Sequence, residues 1–200
     1  VAVDSDAKVL AWAKDRNVDP YAAVVGSRLA LHRADVLDVA PGDVTASGKV
    51  GQADVVAALN FSFCVFKERA QLRRYFESAY RGLDEQGLLI LEMFGGVSAI
   101  DTDEEVRELD GFTYIWEQAS FNPINHDLVC HIHFTFPDGS RVDRAFTYDW
   151  RLWTLPELRD LLLEAGFDEV RVFWEMTEED SDDEDEDDDE DEYLEGTGEY

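Results

Sequence analysis

Cysteine is scarce in this chain: two in 200 residues, Cys64 and Cys130, far apart and with unrelated flanks. A chain of this size needs no disulfide framework, so both read as free thiols in a reducing, cytoplasmic setting. Basic residues are also scarce. Seventeen Lys and Arg stand against 46 Asp and Glu, with no basic cluster, which argues against a nucleic-acid backbone as partner. Long apolar runs are missing too. The longest, Val55 to Phe66, is broken by Asn60 and Ser62 and falls short of the ~20 residues a membrane-spanning helix needs, so no membrane partner is expected.

The acidic excess is uneven. Residues 178–192 carry 14 of the 46 acids, leaving 32 acids and 17 bases elsewhere, a net charge of −15. That run has nothing apolar to bury and repels itself, so 177–200 is expected to be a disordered acidic tail that aids solubility or contacts a basic protein. The other residues, 1–176, read as one domain, since 45% of the whole chain is apolar and 12% aromatic. The chain opens on Val1, already inside a strand-like run, so that domain is expected to be incomplete at its N-terminus.

Val1-Ala2-Val3-Asp4 is a short strand ending in an acid, with Ser5 or Asp6 able to cap a helix carrying Val9, Leu10 and Ala13 at helical spacing. Leu29 to His32 reads as a second strand closing on Ala34-Asp35, and 41–51 as a loop. Asp54 to Asn60 and Leu88 to Phe94 are continuous apolar runs of the kind covered on both faces. Between them Leu72, Tyr75, Phe76, Ala79, Tyr80 and Leu83 share one face of a helix over 68–83. This alternation predicts a parallel sheet flanked by helices. The last third changes period: alternation across 130–136 and 142–150, around the turn Pro137-Asp138-Gly139, predicts an antiparallel hairpin. A capped helix follows, with Thr154, Pro156, Glu157 and stop residue Gly166, and a final strand is expected over 168–174.

In such a sheet ligands sit outside the carboxyl ends of the strands, where Asp4, Asp35, Asn60 and Glu92 fall. An acid after a strand of a nucleotide-binding sheet can accept both hydroxyls of a ribose, or can cap the next helix. Asp35 can accept from an adenine amino group while the Val36 backbone N–H donates to a ring nitrogen, and Asn60 can point its amide into the cleft. His126, His131 and His133 allow a metal reading, but the set is small and one member lies in a turn, so surface or cleft histidines are the simpler account and no metal is expected.

VAVDSDAKVLAWAK, HRADV, ADVVAALNFSF, GLLILEMFGG and LPELRDLLLEAGFDEVRVF, in this order, resemble class I S-adenosylmethionine-dependent methyltransferases from their second strand to their last, over about residues 1–174. The resemblance implies a Rossmann-like α/β fold, mostly parallel with an antiparallel C-terminal hairpin and strand, S-adenosylmethionine as cofactor, and in-line methyl transfer to a small-molecule acceptor. It implies that Asp4 and Ser5 lie at the cofactor ribose, Asp35 and Val36 at the adenine, and Asn60 and Phe61 between cofactor and acceptor. Two features depart from the pattern. The Gly-rich loop after the family's first strand is missing from this sequence, which would leave two sheet edges without partners. The turn before Leu88 also reads Leu83-Asp84-Glu85-Gln86-Gly87 in place of a Pro-Gly-Gly type turn. No catalytic residue is singled out; His131, His133 and Tyr148 are the candidate bases. A nicotinamide-dependent oxidoreductase and a non-catalytic binding module are the alternatives on the same fold.

Overall fold

The computed structural model describes residues 1–39, 52–174 and 194–195; the loop expected over 41–51 and nearly all of 177–200 lie outside them. β1 (Ala2–Asp4) pairs in parallel with β2 (Leu31–Arg33), joined by α1 (Ala7–Ala13), which runs on as a π-helical turn, and α2 (Ala22–Val25). Asp6, not Ser5, is the N-cap of α1: its side chain accepts from the Lys8 N–H. β3 (Ala53–Ala58) pairs in parallel with β4 (Leu83–Leu91) through α3 (Arg69–Gly82). The helix stops where β4 begins, one residue after Gly82, with no intervening loop. Register slips between Ala53 and Val55, and Gly87 fills the slip. The turn expected over Leu83 to Gly87 is therefore part of β4, and a Cβ at Gly87 would fall 2.9 Å from the Ala53 carbonyl oxygen and from Leu83 Cβ, so the position has room only for glycine.

The expected sheet is corrected on two counts. Its parallel strands form two separate pairs rather than one continuous sheet, and the largest sheet is antiparallel, in the order β5 (Glu104–Leu109), β6 (Phe112–Phe121), β7 (Asp127–Thr135), β8 (Arg141–Arg151). The β7–β8 hairpin matches the sequence pattern; β5 and β6 extend it. The two apolar runs are also not covered on both faces. Val55 is 51% exposed and its parallel neighbour Leu88 62%, with Ile90 at 48%, so among the described residues one face of the β3–β4 pair is open. Finally, the strand expected over 168–174 is only β9 (Phe173–Trp174). It pairs with β10 (Leu194–Glu195), a short element inside the stretch expected to be disordered.

The core lies where α3 and α4 (Leu155–Ala165) meet the aromatic face of the antiparallel sheet: Phe63, Leu72 and Phe76 pack with Leu128, Cys130, Trp150, Trp153, Leu158 and Leu161. α4 has a full capping box, in which the Thr154 side chain accepts from the Glu157 N–H while Glu157 reaches back to the Thr154 N–H. Its end is set by Gly166, whose φ of 113° is left-handed and whose missing Cβ leaves room for the Tyr80 ring, 3.0 Å from where that atom would sit. The Ala165-Gly166-Phe167 step therefore docks α4 onto α3, with Phe167 edge-on to Tyr80 at 5.2 Å. Thr154→Ala, which removes the cap acceptor and leaves the helix face intact, is expected to cost about 1 kcal/mol in denaturant unfolding. Thr154→Ser should recover most of that loss, and a null effect would mean that tertiary packing alone holds the helix start.

Among the described residues no helix is long and apolar enough to cross a membrane. Both thiols are free and buried, and burial pushes each up to about 12.

Candidate functional site

Within each parallel pair both strands end at the same edge, and polar residues lie at or within two residues of those ends: Asp4 and Asp35 at the first pair, Asn60 and Glu92 at the second. At the first pair, Ala34 N–H donates to the Asp4 carbonyl at 3.1 Å, so Asp4 and Asp35 leave the sheet side by side. Each carboxylate closes a local turn with one oxygen: Asp4 Oδ1 accepts from the Asp6 N–H at 2.7 Å and Asp35 Oδ1 from the Leu37 N–H at 2.9 Å. A carboxylate offers about four lone-pair positions, so both keep capacity for a ligand hydroxyl or amino group. Asp4 is half-buried and Asp35 exposed. Ser5 is exposed, and its carbonyl accepts from Arg33 Nε at 3.2 Å. The stretch after β2 is tied to α3 by the Arg74–Asp38 ion pair and by Ser78 Oγ donating to the Val39 carbonyl at 3.0 Å. Val36 and Leu37 pack on the same core as Phe61.

At the second pair, Asn60 and Phe61 follow β3 with φ of 54° and 53°, two successive left-handed residues without a glycine. Backbone held there costs of order 1–3 kcal/mol per residue and persists only when its surroundings fix it. Asn60 N–H donates to Glu92 Oε2 at 2.5 Å, Cys64 N–H to the Phe61 carbonyl at 2.9 Å, and Glu92 N–H to the Ala58 carbonyl at 3.1 Å. Asn60 is exposed, and the half-buried Phe61 ring turns toward the antiparallel sheet, 5.6 Å from the Phe94 ring and 6.0 Å from Trp150. Trp116 and Tyr148 continue this wall, with Tyr148 stacked at 4.5 Å on Trp150.

The sheet separates the candidate bases. Tyr148 is on the aromatic face, and burial raises its phenol. His131 and His133 alternate with Cys130 and Ile132 and face away from those rings. Neither is a surface or cleft histidine, for both are buried. His131 Nδ1 lies 2.9 Å from Thr147 Oγ1; His133 lies between Glu117 Oε2, 3.0 Å from Nε2, and Asp143 Oδ1, 3.2 Å from Nδ1. Asp143 is held below the usual carboxylate range by its hydrogen bond from Arg141, against a burial penalty, and by His133. The Arg144 N–H lies 3.2 Å from the same His133 Nδ1, an alternative partner to Asp143 for that nitrogen, where β8 bulges and Arg144 takes a φ of 49°. These histidines brace the back of the sheet. No cluster of His, Cys, Asp or Glu suited to a metal occurs among the described residues.

The sequence pattern marks Asp4, Asp35, Asn60 and Glu92 as strand-end residues, and the structure sets Asp4 beside the Ala34-Asp35 step. Sequence reasoning missed Glu92 as the partner of Asn60, although its place at the end of the neighbouring strand was a signal for it.

The sequence matches no family model and no curated protein. Solved structures do match. An S-adenosylmethionine-dependent methyltransferase from Clostridium acetobutylicum aligns at 17% identity and a TM-score of 0.59, over 82% of this chain and 62% of that one. The CcbJ methyltransferase from Streptomyces caelestis aligns at 15% identity and a TM-score of 0.65, over 82% of this chain and 62% of that one. CalS10 from Micromonospora echinaspora, an amino pentose methyltransferase with S-adenosylmethionine bound, aligns at 14% identity and a TM-score of 0.62, over 86% of this chain and 66% of that one. The chain thus spans less than two thirds of each of these proteins. At such identities the likeness is one of fold, and the fold this chain has is that of the S-adenosylmethionine-dependent methyltransferases.

Proposed function

We propose that the chain forms part of an S-adenosylmethionine-dependent methyltransferase that methylates a small organic acceptor. The observation that carries this reading is that, in a chain with the fold of solved methyltransferases, two acids lie side by side at the carboxyl ends of β1 and β2, and a left-handed turn follows the carboxyl end of β3 beside that of β4. The residues fit the group. Asp4 has lone pairs left for the two ribose hydroxyls, with Ser5 next to it. Asp35 and the half-buried Val36 offer an acceptor and an apolar surface for adenine. Asn60 and Phe61 would stand between cofactor and acceptor. The cofactor supplies an activated methyl group on a good leaving group, so the protein's task is positioning rather than acid–base chemistry. The half-buried Phe61, Phe94, Trp116 and Tyr148, backed by the buried Trp150, would form an acceptor wall and hold water away from it. Of the three candidate bases only Tyr148 faces that wall. CalS10 acts on a small sugar and holds the same cofactor, which supports both halves of the proposal by analogy of fold.

Calorimetric titration with S-adenosylhomocysteine and, separately, with NAD tests it. Micromolar binding of the first and none of the second is expected. Tight NAD binding without a response to S-adenosylhomocysteine would establish the oxidoreductase alternative, and no binding of either would favour a non-catalytic module.

A further inference from the structure

We propose that Glu92 is the positioning residue of this site: its carboxylate holds the Asn60–Phe61 turn in the conformation that sets the Phe61 ring against the aromatic wall. The inference rests on the reading of that turn as lying between cofactor and acceptor.

Two adjacent non-glycine residues at φ of 54° and 53° are unusual, because the left-handed region brings Cβ close to the following carbonyl. Left to itself the turn would relax. The backbone contacts around it do not reach the Asn60 N–H: Ser62 N–H goes back to the Leu59 carbonyl at a long 3.4 Å, and Cys64 N–H to the Phe61 carbonyl. The Asn60 N–H is taken by Glu92 Oε2 at 2.5 Å, thirty-two residues away in sequence. A charged acceptor on a backbone N–H is among the stronger hydrogen bonds, and Glu92 is itself fixed by its own N–H on the Ala58 carbonyl, at the last rung of the β3–β4 ladder. The carboxylate thus joins the ends of two parallel strands at the point where the chain must turn sharply. Beyond the clamp lies Phe61, whose ring meets Phe94, two residues past Glu92, and Trp150 of the antiparallel sheet. Glu92 therefore acts through Asn60 on the packing that connects the β3–β4 pair to the aromatic wall. It is not assigned to touch substrate.

The test uses the 200-residue chain and two variants, Glu92→Ala and Glu92→Gln, with three readouts: exchange of the Asn60 amide, the near-ultraviolet dichroism of the Trp116–Trp150 cluster, and the dissociation constant for S-adenosylhomocysteine. Glu92→Ala is expected to speed Asn60 exchange by at least about tenfold, to change the near-ultraviolet bands while far-ultraviolet dichroism is kept, and to weaken S-adenosylhomocysteine binding by about tenfold, the size of one hydrogen bond to a charged group. Glu92→Gln keeps an acceptor oxygen at the same reach and should lie within about threefold of wild type in all three. Unchanged Asn60 exchange and near-ultraviolet bands in Glu92→Ala would overturn the proposal. So would a Glu92→Gln variant as impaired as Glu92→Ala, since the hydrogen bond would then not be what matters; that arm decides the case should Glu92→Ala fail to fold. If the wild-type chain does not bind S-adenosylhomocysteine, the methyl-transfer reading fails, while exchange and dichroism still decide whether Glu92 holds the turn.

Discussion

Replacing Trp153 by Ala is expected to lower the unfolding free energy by about 3–5 kcal/mol, the usual cost of emptying a buried aromatic site and a large part of a domain's ~5–15 kcal/mol. Trp153 is 2% exposed and sits between β8 and α4. Three features converge on it. It precedes the Thr154 cap, and the buried Leu158 four residues beyond that cap shares its core cluster, the arrangement of a hydrophobic staple that sets the angle at which the chain enters α4. Its indole Nε1–H donates to the Phe66 carbonyl at 3.0 Å, tying the segment after β3 to the antiparallel sheet. Its ring carries the Arg151 guanidinium at 3.8 Å from the centroid, while Arg151 donates to the Lys67 carbonyl and to Glu157. Arg151 Nε is buried without a hydrogen-bond partner, so the ring face is what compensates that side chain on one side. Deleting the indole would leave a cavity, an unpaired Phe66 carbonyl and a guanidinium with no stacking partner. Trp153→Phe retains the staple and part of the stacking and should cost no more than about half as much. Urea unfolding followed by far-ultraviolet dichroism measures both, and a loss under about 1 kcal/mol for Trp153→Ala would show that the sheet docks on α3 without this residue.

Features set by short-range patterns were legible in the sequence. α3 and α4 follow from apolar residues three and four apart, and the ends of α4 from Thr154, Glu157 and Gly166, because caps and left-handed stops are local chemistry. The β7–β8 hairpin follows from alternation around Pro137-Asp138-Gly139. The β5–β6 hairpin had a signal too: Asp110-Gly111 is a strong two-residue turn, and Gly111 takes a φ of 87°. β5 itself is charged and exposed along its whole length, so it has no apolar face to give it away.

What long-range packing decides was not legible. The runs Asp54 to Asn60 and Leu88 to Phe94 are apolar enough for burial on both faces, yet periodicity says nothing about what covers them, and Val55, Leu88 and Ile90 are open on one side. His131 and His133 alternate like solvent-facing positions, but they are buried because Glu117, from a strand the sequence pattern did not bring out, and a bulge in β8 close over them. In the candidate site, the strand-end residues could be picked out because polar groups after apolar runs are a one-dimensional signal. The left-handed turn at Asn60–Phe61 and its clamp by Glu92 could not, since they depend on β3 and β4 being parallel neighbours with ends in register.

Asp4→Ala is expected to weaken S-adenosylhomocysteine binding by roughly tenfold to a hundredfold, because a charged hydrogen-bonding partner of a ligand hydroxyl contributes about 1.5–3 kcal/mol. The same side chain has a local duty, however. Asp4 Oδ1 accepts from the Asp6 N–H at 2.7 Å, immediately before the cap of α1, so the alanine variant should also lose about 1 kcal/mol of stability, as a lost cap does. Weaker binding in Asp4→Ala alone could then reflect a loosened β1–α1 turn. Asp4→Asn separates the two effects. Its amide oxygen can still take the Asp6 N–H, so the turn and the melting temperature should stay close to wild type. It offers one acceptor where the carboxylate offers two, and no charge, so it cannot serve a pair of ribose hydroxyls in the same way. The ribose role therefore predicts that Asp4→Asn matches wild type in melting temperature and Asp4→Ala in binding. A purely local role predicts that Asp4→Asn matches wild type in both. Melting curves and titrations on the three proteins decide between them, and a dissociation constant that does not move in Asp4→Ala would remove Asp4 from the site and leave it as the residue that turns the chain from β1 into α1.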